Sequence, residues 1–308
     1  MRFSSLSSAA AAGSEPLTRR RAQFTTMYGV VTRNEEEVEW SAFDRGFYEV
    51  KDVTGRAAEP LPNAVNMVSC FGDTAAGESS PELLPVDDEG NEATREQPYF
   101  DWGYVCPTHE GYREGLLETI ADCAAANEDV RLDDVGFPRA EYCRCDRCER
   151  LFAESEYEDR FDWRGSVITE FVKEASERIP GRTYLTLYPD PYPGHLFERA
   201  GLDLSVLSAY VDEYVVPLYD THYSTTYWLE TIASGFQDLL GWSPETPEAG
   251  TPFSVELYAV DVDVDNLIHA TEVAERYGKD TFFGYDASNA QAAIRRKTAD
   301  EREGVSHG

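Results

Sequence analysis

The chain has 308 residues, in which 27 Lys and Arg stand against 58 Asp and Glu, giving a formal charge of −31. A surface of that sign repels phosphate backbones and anionic lipid, which argues against nucleic-acid and membrane partners. Hydrophobic residues make up 42% and aromatics 12%, too much apolar material for a solvated acidic tail, and the length suits one large α/β domain.

The acid excess runs along the whole chain in blocks such as Glu35-Glu36-Glu37 and Asp87-Asp88-Glu89, which read first as a solvated shell. This bias resembles that of proteins from salt-loving archaea, where screening within ~3 Å at molar salt removes most self-repulsion. No run reaches the ~18–20 apolar residues of a spanning helix. Ala9 to Ala12 precede Arg19-Arg20-Arg21, the reverse of a secretory signal, so residues 1–23 are expected to be a disordered leader or the product of a mis-assigned start codon, and the clustered cysteines favour a metal site in a reducing cytoplasm.

From Phe24 onward, strand-length apolar runs recur: Phe24 to Val31, Ala64 to Cys70, Val130 to Phe137, Thr183 to Tyr188, Tyr214 to Tyr219, Phe253 to Ala259 and Thr281 to Tyr285. An eighth is placed at Tyr99 to Val105. Helical patterns lie between several of them. One covers Glu110 to Ala125 with Thr108 as N-cap. The next follows the N-cap Asp162 and ends by Pro180-Gly181. The others cover Thr225 to Leu240, Asn266 to Tyr277 and Ala287 to Lys297. Residues 72–98, polar and rich in Gly, Pro and acids, read as a long loop insertion.

Alternating strands and helices imply a parallel sheet. The chain has no G-x-G-x-x-G and no G-x-x-x-x-G-K-[ST], which removes support for nucleotide-binding open sheets. Residues 24–298 are long enough for a (β/α)8 TIM-like barrel, which needs about 250, and residues 299–308 form a polar tail.

Three of six cysteines fall in Cys143-Arg144-Cys145-Asp146-Arg147-Cys148, a C-x-C-x-x-C spacing that directs sulfurs to one tetrahedral metal. Cys106, beside Pro107 after the eighth strand candidate, is the best fourth ligand, with His109 as the substitute. Four thiolates leave no open position, so a zinc ion here would be structural. Cys70 and Cys123 sit in apolar patterns and read as small core residues.

Cys106 followed by Cys143, Cys145 and Cys148 resembles the zinc site of family 42 β-galactosidases. Val105-Cys106-Pro107-Thr108, Tyr112-Arg113 and Leu132-Asp133-Asp134-Val135-Gly136-Phe137-Pro138 are similar to a wider group of barrel glycoside hydrolases. The likeness covers residues 102–152 and implies a carbohydrate substrate. It departs at one point: family 42 carries Asn-Glu where this chain has Asp133-Asp134.

Chemistry in such a barrel lies at the C-terminal strand ends. These present Asp133, Asp134, Asp190, Asp220, Glu256 and Asp286. Glu256, within the apolar Phe253-Ser254-Val255-Glu256-Leu257-Tyr258, is the acid a solvated shell does not explain; it is either catalytic or a buried acid paired with Arg or Tyr. Alternation sends one of Asp133 and Asp134 into the mouth. Glycoside hydrolysis uses two carboxylates, ~5–5.5 Å apart for retention or ~6.5–9.5 Å for inversion. As in the large retaining clan, Asp134 is assigned acid/base and Glu256 nucleophile, on strands four and seven.

Trp102, Tyr104, Tyr188, Tyr192, Tyr219, Tyr223, Tyr258 and Tyr285 lie near the same ends and offer flat faces to sugar rings. Substrate-binding candidates are Asp133, Arg139, Tyr188, Asp190, Tyr219, Asp220, His222, Tyr258 and Asp286, with His195 as a further loop histidine and Arg139 as a partner for the acids. The absence of H-E-x-x-H and G-x-S-x-G disfavours a zinc hydrolase or a serine esterase. The alternative to an enzyme is a non-catalytic carbohydrate-binding or scaffold barrel, which the missing Asn-Glu favours.

Overall fold

The computed structural model describes residues 26–304. The predicted leader lies outside them. Eight parallel strands close in sequence order: β1 (Tyr28–Thr32), β2 (Arg45–Lys51), β3 (Val65–Ser69), β4 (Val130–Asp133), β5 (Thr183–Thr186), β6 (Glu213–Pro217), β7 (Phe253–Tyr258) and β8 (Thr281–Gly284). β8 returns to β1 through Gly29 opposite Phe282, which completes a (β/α)8-type barrel.

The helices are α1 (Thr74–Ser79), α2 (Glu110–Ala126), α3 (Asp146–Glu154), α4 (Arg160–Ser176), α5 (His195–Ala200), α6 (Leu204–Leu207), α7 (Tyr227–Leu240), α8 (Val264–Tyr277) and α9 (Ala287–Glu303). The crossovers from β1 to β2 and from β2 to β3 carry no α-helix. A 3₁₀ turn at Glu37–Glu39 covers β2 instead, with Val38 so close to Gly46 that a β-carbon there would stand 2.6 Å from Val38 Cβ.

The strand placed at Tyr99 to Val105 is not one. The second strand is Arg45–Lys51, in which Arg45, Glu49 and Lys51 interrupt the apolar residues, so it lacks the continuous apolar run of its neighbours. Residues 99–105 belong instead to the excursion after β3, where Tyr104 bridges antiparallel to Gly72 and Val105 N–H donates to Phe71 O at 2.8 Å. That excursion contains α1 and a 3₁₀ turn, and it buries Leu83, Leu84 and Ala93.

Two caps also differ. The α2 cap is His109, whose Nδ1 accepts from Tyr112 N–H at 3.3 Å, because the Thr108 hydroxyl faces the cysteines. The α4 cap is Asp159, accepting from Phe161 N–H at 2.7 Å, so Asp162 lies inside the first turn. α4 stops at Ser176, short of Pro180, and α9 runs on to Glu303 through the stretch read as tail.

Apolar residues divide between two layers. Val31, Phe47, Val65, Met67, Tyr184, Val215 and Phe282 fill the barrel, while a larger set packs the sheet against the helices. Period-two alternation from the inner set carries Arg33, Glu49, Lys51, Ser69, Asp133, Tyr188, Tyr219 and Tyr258 toward the C-terminal mouth. At the opposite end buried Glu213 holds Arg182 at 2.9 Å and accepts from Ser254 at 2.5 Å. Among the described residues no helix is long and apolar enough to cross a membrane.

Candidate active site and cysteine cluster

The mouth is organised around the end of β4. Asp133 is its last residue, and its Oδ1 accepts from Asp134 N–H at 3.1 Å. Asp134 adopts φ 49°, the left-handed region that Asp tolerates better than most residues, which turns its side chain across to β3. There Ser69 Oγ lies 2.7 Å from Asp134 Oδ2. Burial, then the charge of Asp133, push the Asp134 carboxyl up to about 8, against the pull of Ser69 and Lys51. Asp134 is therefore a carboxyl group that holds its proton beyond the ordinary carboxylate range, beside a second acid.

Lys51 reaches this site from β2. Its Nζ donates to Ser69 O at 2.9 Å and Gly72 O at 3.3 Å and pairs with Asp73 at 3.0 Å. Tyr112 O–H donates to Asp73 at 2.9 Å, tying α2 to the same cluster. Tyr104 and Tyr188 face Asp134 from the other side, and burial with the Asp134 charge pushes Tyr188 up to about 12. The Arg199 guanidinium lies 4.4 Å over the Tyr188 ring.

Glu256 lies deeper. It is fully buried, with Oε2 2.6 Å from Arg131 Nη2 and Oε1 accepting from Tyr219 O–H. Arg131 is itself buried, donates through Nε to Thr186 at 2.9 Å and lies 5.5 Å over Phe47. Burial works against the guanidinium charge, but Glu256 and then Asp133 hold it above its ordinary range. Glu256 thus has the Arg and Tyr partners of the buried-acid alternative, with Tyr219, 42% exposed, between it and the mouth.

A third acid, Glu49, comes from β2. It is buried, ion-paired to Arg33 and 3.3 Å from Tyr285 O–H, and burial raises its carboxyl. The sequence reading overlooked Glu49, Lys51, Arg131 and Ser69. Their signal was register: Glu49 and Lys51 share the inward register of Phe47, and Ser69 that of Met67, so each is a polar residue continuing an inward row toward the mouth.

The remaining candidates divide. Tyr219, Tyr258 and Tyr285 form a row with ring centroids 5.3 and 6.5 Å apart. Asp190 pairs with His195 at 3.1 Å, and the Tyr192 ring lies tilted against that histidine with centroids 5.3 Å apart. Asp220 accepts from His222 N–H at 2.9 Å in an exposed turn. Tyr223 is buried and donates to Leu218 O at 2.8 Å. Arg139 does not reach the strand-end acids. It pairs with Glu141 at 2.8 Å and covers Tyr99, because the chain turns outward after Pro138. Asp286 is used as the α9 cap, accepting from Asn289 N–H at 2.9 Å.

Cys106, Cys143, Cys145 and Cys148 converge, all sulfurs lying within 4.8 Å of one another. Four thiolates around a tetrahedral ion with ~2.3 Å bonds would stand roughly 3.8 Å apart. Cys106 Sγ lies 3.4 Å from Cys148 Sγ and 4.0 Å from Cys145 Sγ, so the donor set fits a metal ion. Hydrogen bonds from Cys106, Cys143 and Cys148 hold Cys145 well below the usual thiol range. Cys106 N–H donates to Leu83 O and Arg144 N–H to Val86 O, each at 2.7 Å, so the cluster joins the excursion to the loop after β4. His109 is excluded from that set by its use as a cap. Cys70 and Cys123 are buried apart from it.

No protein-family model matches the sequence. No curated protein matches it either. Among solved structures, the chain is similar to α-L-fucosidase isoenzyme 2 from Paenibacillus thiaminolyticus, with TM-score 0.60 and 12% identity over 90% of this chain and 49% of that one. The chain therefore spans about half the length of that enzyme. The mannanase man26 of Bacillus subtilis aligns with TM-score 0.48 and 11% identity, over 89% of this chain and 85% of the mannanase. At 12% identity the likeness to the fucosidase shows the barrel fold alone.

Proposed function

We propose that this barrel hydrolyses a glycosidic bond, with Asp134 as the proton donor to the leaving group. The observation that carries this is the placing of Asp134 at the end of β4, where such barrels do chemistry, next to Asp133 and 2.7 Å from Ser69 Oγ, a setting in which burial and Asp133 push its carboxyl upward. Glu256 is the proposed nucleophile, aligned by Arg131 and Tyr219; a sugar entering the mouth has to displace the Tyr219 ring to reach it. Asp133, Tyr188, Tyr219 and Tyr258 are the proposed sugar contacts, with Asp190, Asp220 and His222 on the rim.

Cys106, Cys143, Cys145 and Cys148 are the proposed ligands of a structural zinc, whose contribution is folding energy and the mutual position of two mouth loops. Reduced thiols in that role suit a cytoplasmic protein, and the charge of −31 suits one working at high salt.

Full burial of Glu256 favours a second reading, a barrel that binds carbohydrate without cleaving it. Aryl α-L-fucosides and β-galactosides, assayed at low and molar salt, separate the two. The enzyme reading expects Asp134→Asn to lower kcat/KM at least ~100-fold. It also expects azide to restore turnover to Glu256→Gly by forming a glycosyl azide. Binding without turnover in the unmodified protein would establish the second reading.

A further inference from the structure

Ser69, the last residue of β3, is buried, and its Oγ has two close oxygen neighbours: Asp134 Oδ2 at 2.7 Å and Gly72 O at 2.8 Å. A hydroxyl owns a single hydrogen, and a backbone carbonyl only accepts. Both contacts are full hydrogen bonds at once when Asp134 supplies the second hydrogen; otherwise Ser69 shares its single hydrogen between them or leaves one unmade. Were Asp134 ionised in this arrangement, Ser69 would give it the hydrogen and would press an oxygen lone pair against Gly72 O.

We infer that Ser69 is the positioning residue for Asp134, a two-way donor that bonds Gly72 O while Asp134 holds its proton and turns to the carboxylate when the proton leaves. This rests on the reading of Asp134 as proton donor. As the glycosidic C–O bond breaks, its electron pair goes to the leaving oxygen, which takes the Asp134 proton. The O–H electron pair stays on the carboxylate, and Ser69 rotates its own hydrogen onto it. Lys51 makes the exchange possible, because its Nζ already lies 3.3 Å from Gly72 O and can hold that carbonyl when Ser69 lets go. Asp73, 3.0 Å away and held by Tyr112, fixes the ammonium in place.

The other groups facing Asp134 are Asp133 on its own strand, Glu49 and Lys51 from β2, Cys70 after β3, Tyr104 from the excursion, Tyr112 from α2 and Tyr188 after β5. Burial pushes Tyr188 up to about 12 and Cys70, Tyr104 and Tyr112 further, so these four stay neutral while Asp134 titrates.

The test reads the carboxyl directly, by ¹³C NMR titration of Asp-labelled protein with the Asp134 signal assigned from Asp134→Asn. The unmodified chain is expected to show a midpoint near 8; one below about 5 overturns the arrangement without any variant. Ser69→Ala removes the donor to the ionised form and should raise the midpoint by about one pH unit, whereas Ser69→Thr keeps the hydroxyl and the original value. Lys51→Met, with Ser69 in place, should raise it too. An unmoved or lowered midpoint in Ser69→Ala overturns the proposal even if glycosides are cleaved. The expected shifts in a protein that cleaves none would uphold it and remove the hydrolase reading.

Discussion

Replacing Arg131 by Met isolates a fully buried charge inside the barrel. Glu256 is fully buried and its Arg131 partner only 2% exposed, so neither is hydrated. In the variant, Glu256 Oε2 loses the guanidinium at 2.6 Å, Thr186 loses the Nε donor at 2.9 Å, and Tyr219 alone is left on Glu256. Breaking one side of a buried pair costs about 3–5 kcal/mol. With an unfolding entropy of about 2.1 cal/mol/K per residue, and residues 26–304 in the folded unit, the melting temperature should fall by about 5–9 °C. Thermal unfolding by circular dichroism at fixed salt measures this. Adding Glu256→Gln to Arg131→Met removes the orphaned charge and should recover a large part of the loss. A single-variant loss below about 1 kcal/mol, or a double variant less stable than the single one, would refute the claim that this pair is desolvated.

Two further outcomes follow from the geometry. Purified protein should carry about one thiophilic ion per chain, and Cys145→Ser or chelation should lower the stability of the excursion and the loop after β4, read by hydrogen exchange. Metal-free protein with unchanged protection in both segments would remove the cysteine cluster as a metal site. Gly136 has φ +139°, and a β-carbon there would lie 2.8 Å from Ala200 O, so Gly136→Ala should destabilise by ~2 kcal/mol or more in denaturant titration; a neutral effect would mean that the turn after β4 moves away from α5 without cost.

Seven of the eight strands were legible because each is a short apolar run, buried on both faces by the barrel interior and the helices. β2 was not, since its inward positions rise from Phe47 through Glu49 to Lys51, out of the packed core and into the polar mouth. The two crossovers beside it carry no α-helix, so no 3.6-residue pattern flanked it. The aromatic stretch Tyr99 to Val105 took its place because strand composition does not distinguish a barrel strand from a packed excursion. The cysteine spacing was legible for a local reason: three ligands within six residues need only one turn to converge, and Cys106 was found by its place before α2.

By itself the sequence determined the fold class and the four-cysteine cluster, and it singled out Glu256 and the Asp133-Asp134 pair among the acids but not Glu49. Those properties follow from periodicity and local spacing, which act over a few residues. Only the tertiary structure decided how the acids differ. It put Glu256 under Tyr219 against Arg131, paired Glu49 with Arg33, and left Asp134 beside Asp133 with Ser69 and Lys51. The charge state of a carboxyl depends on burial and on partners brought in from other strands, and closure of the barrel sets both.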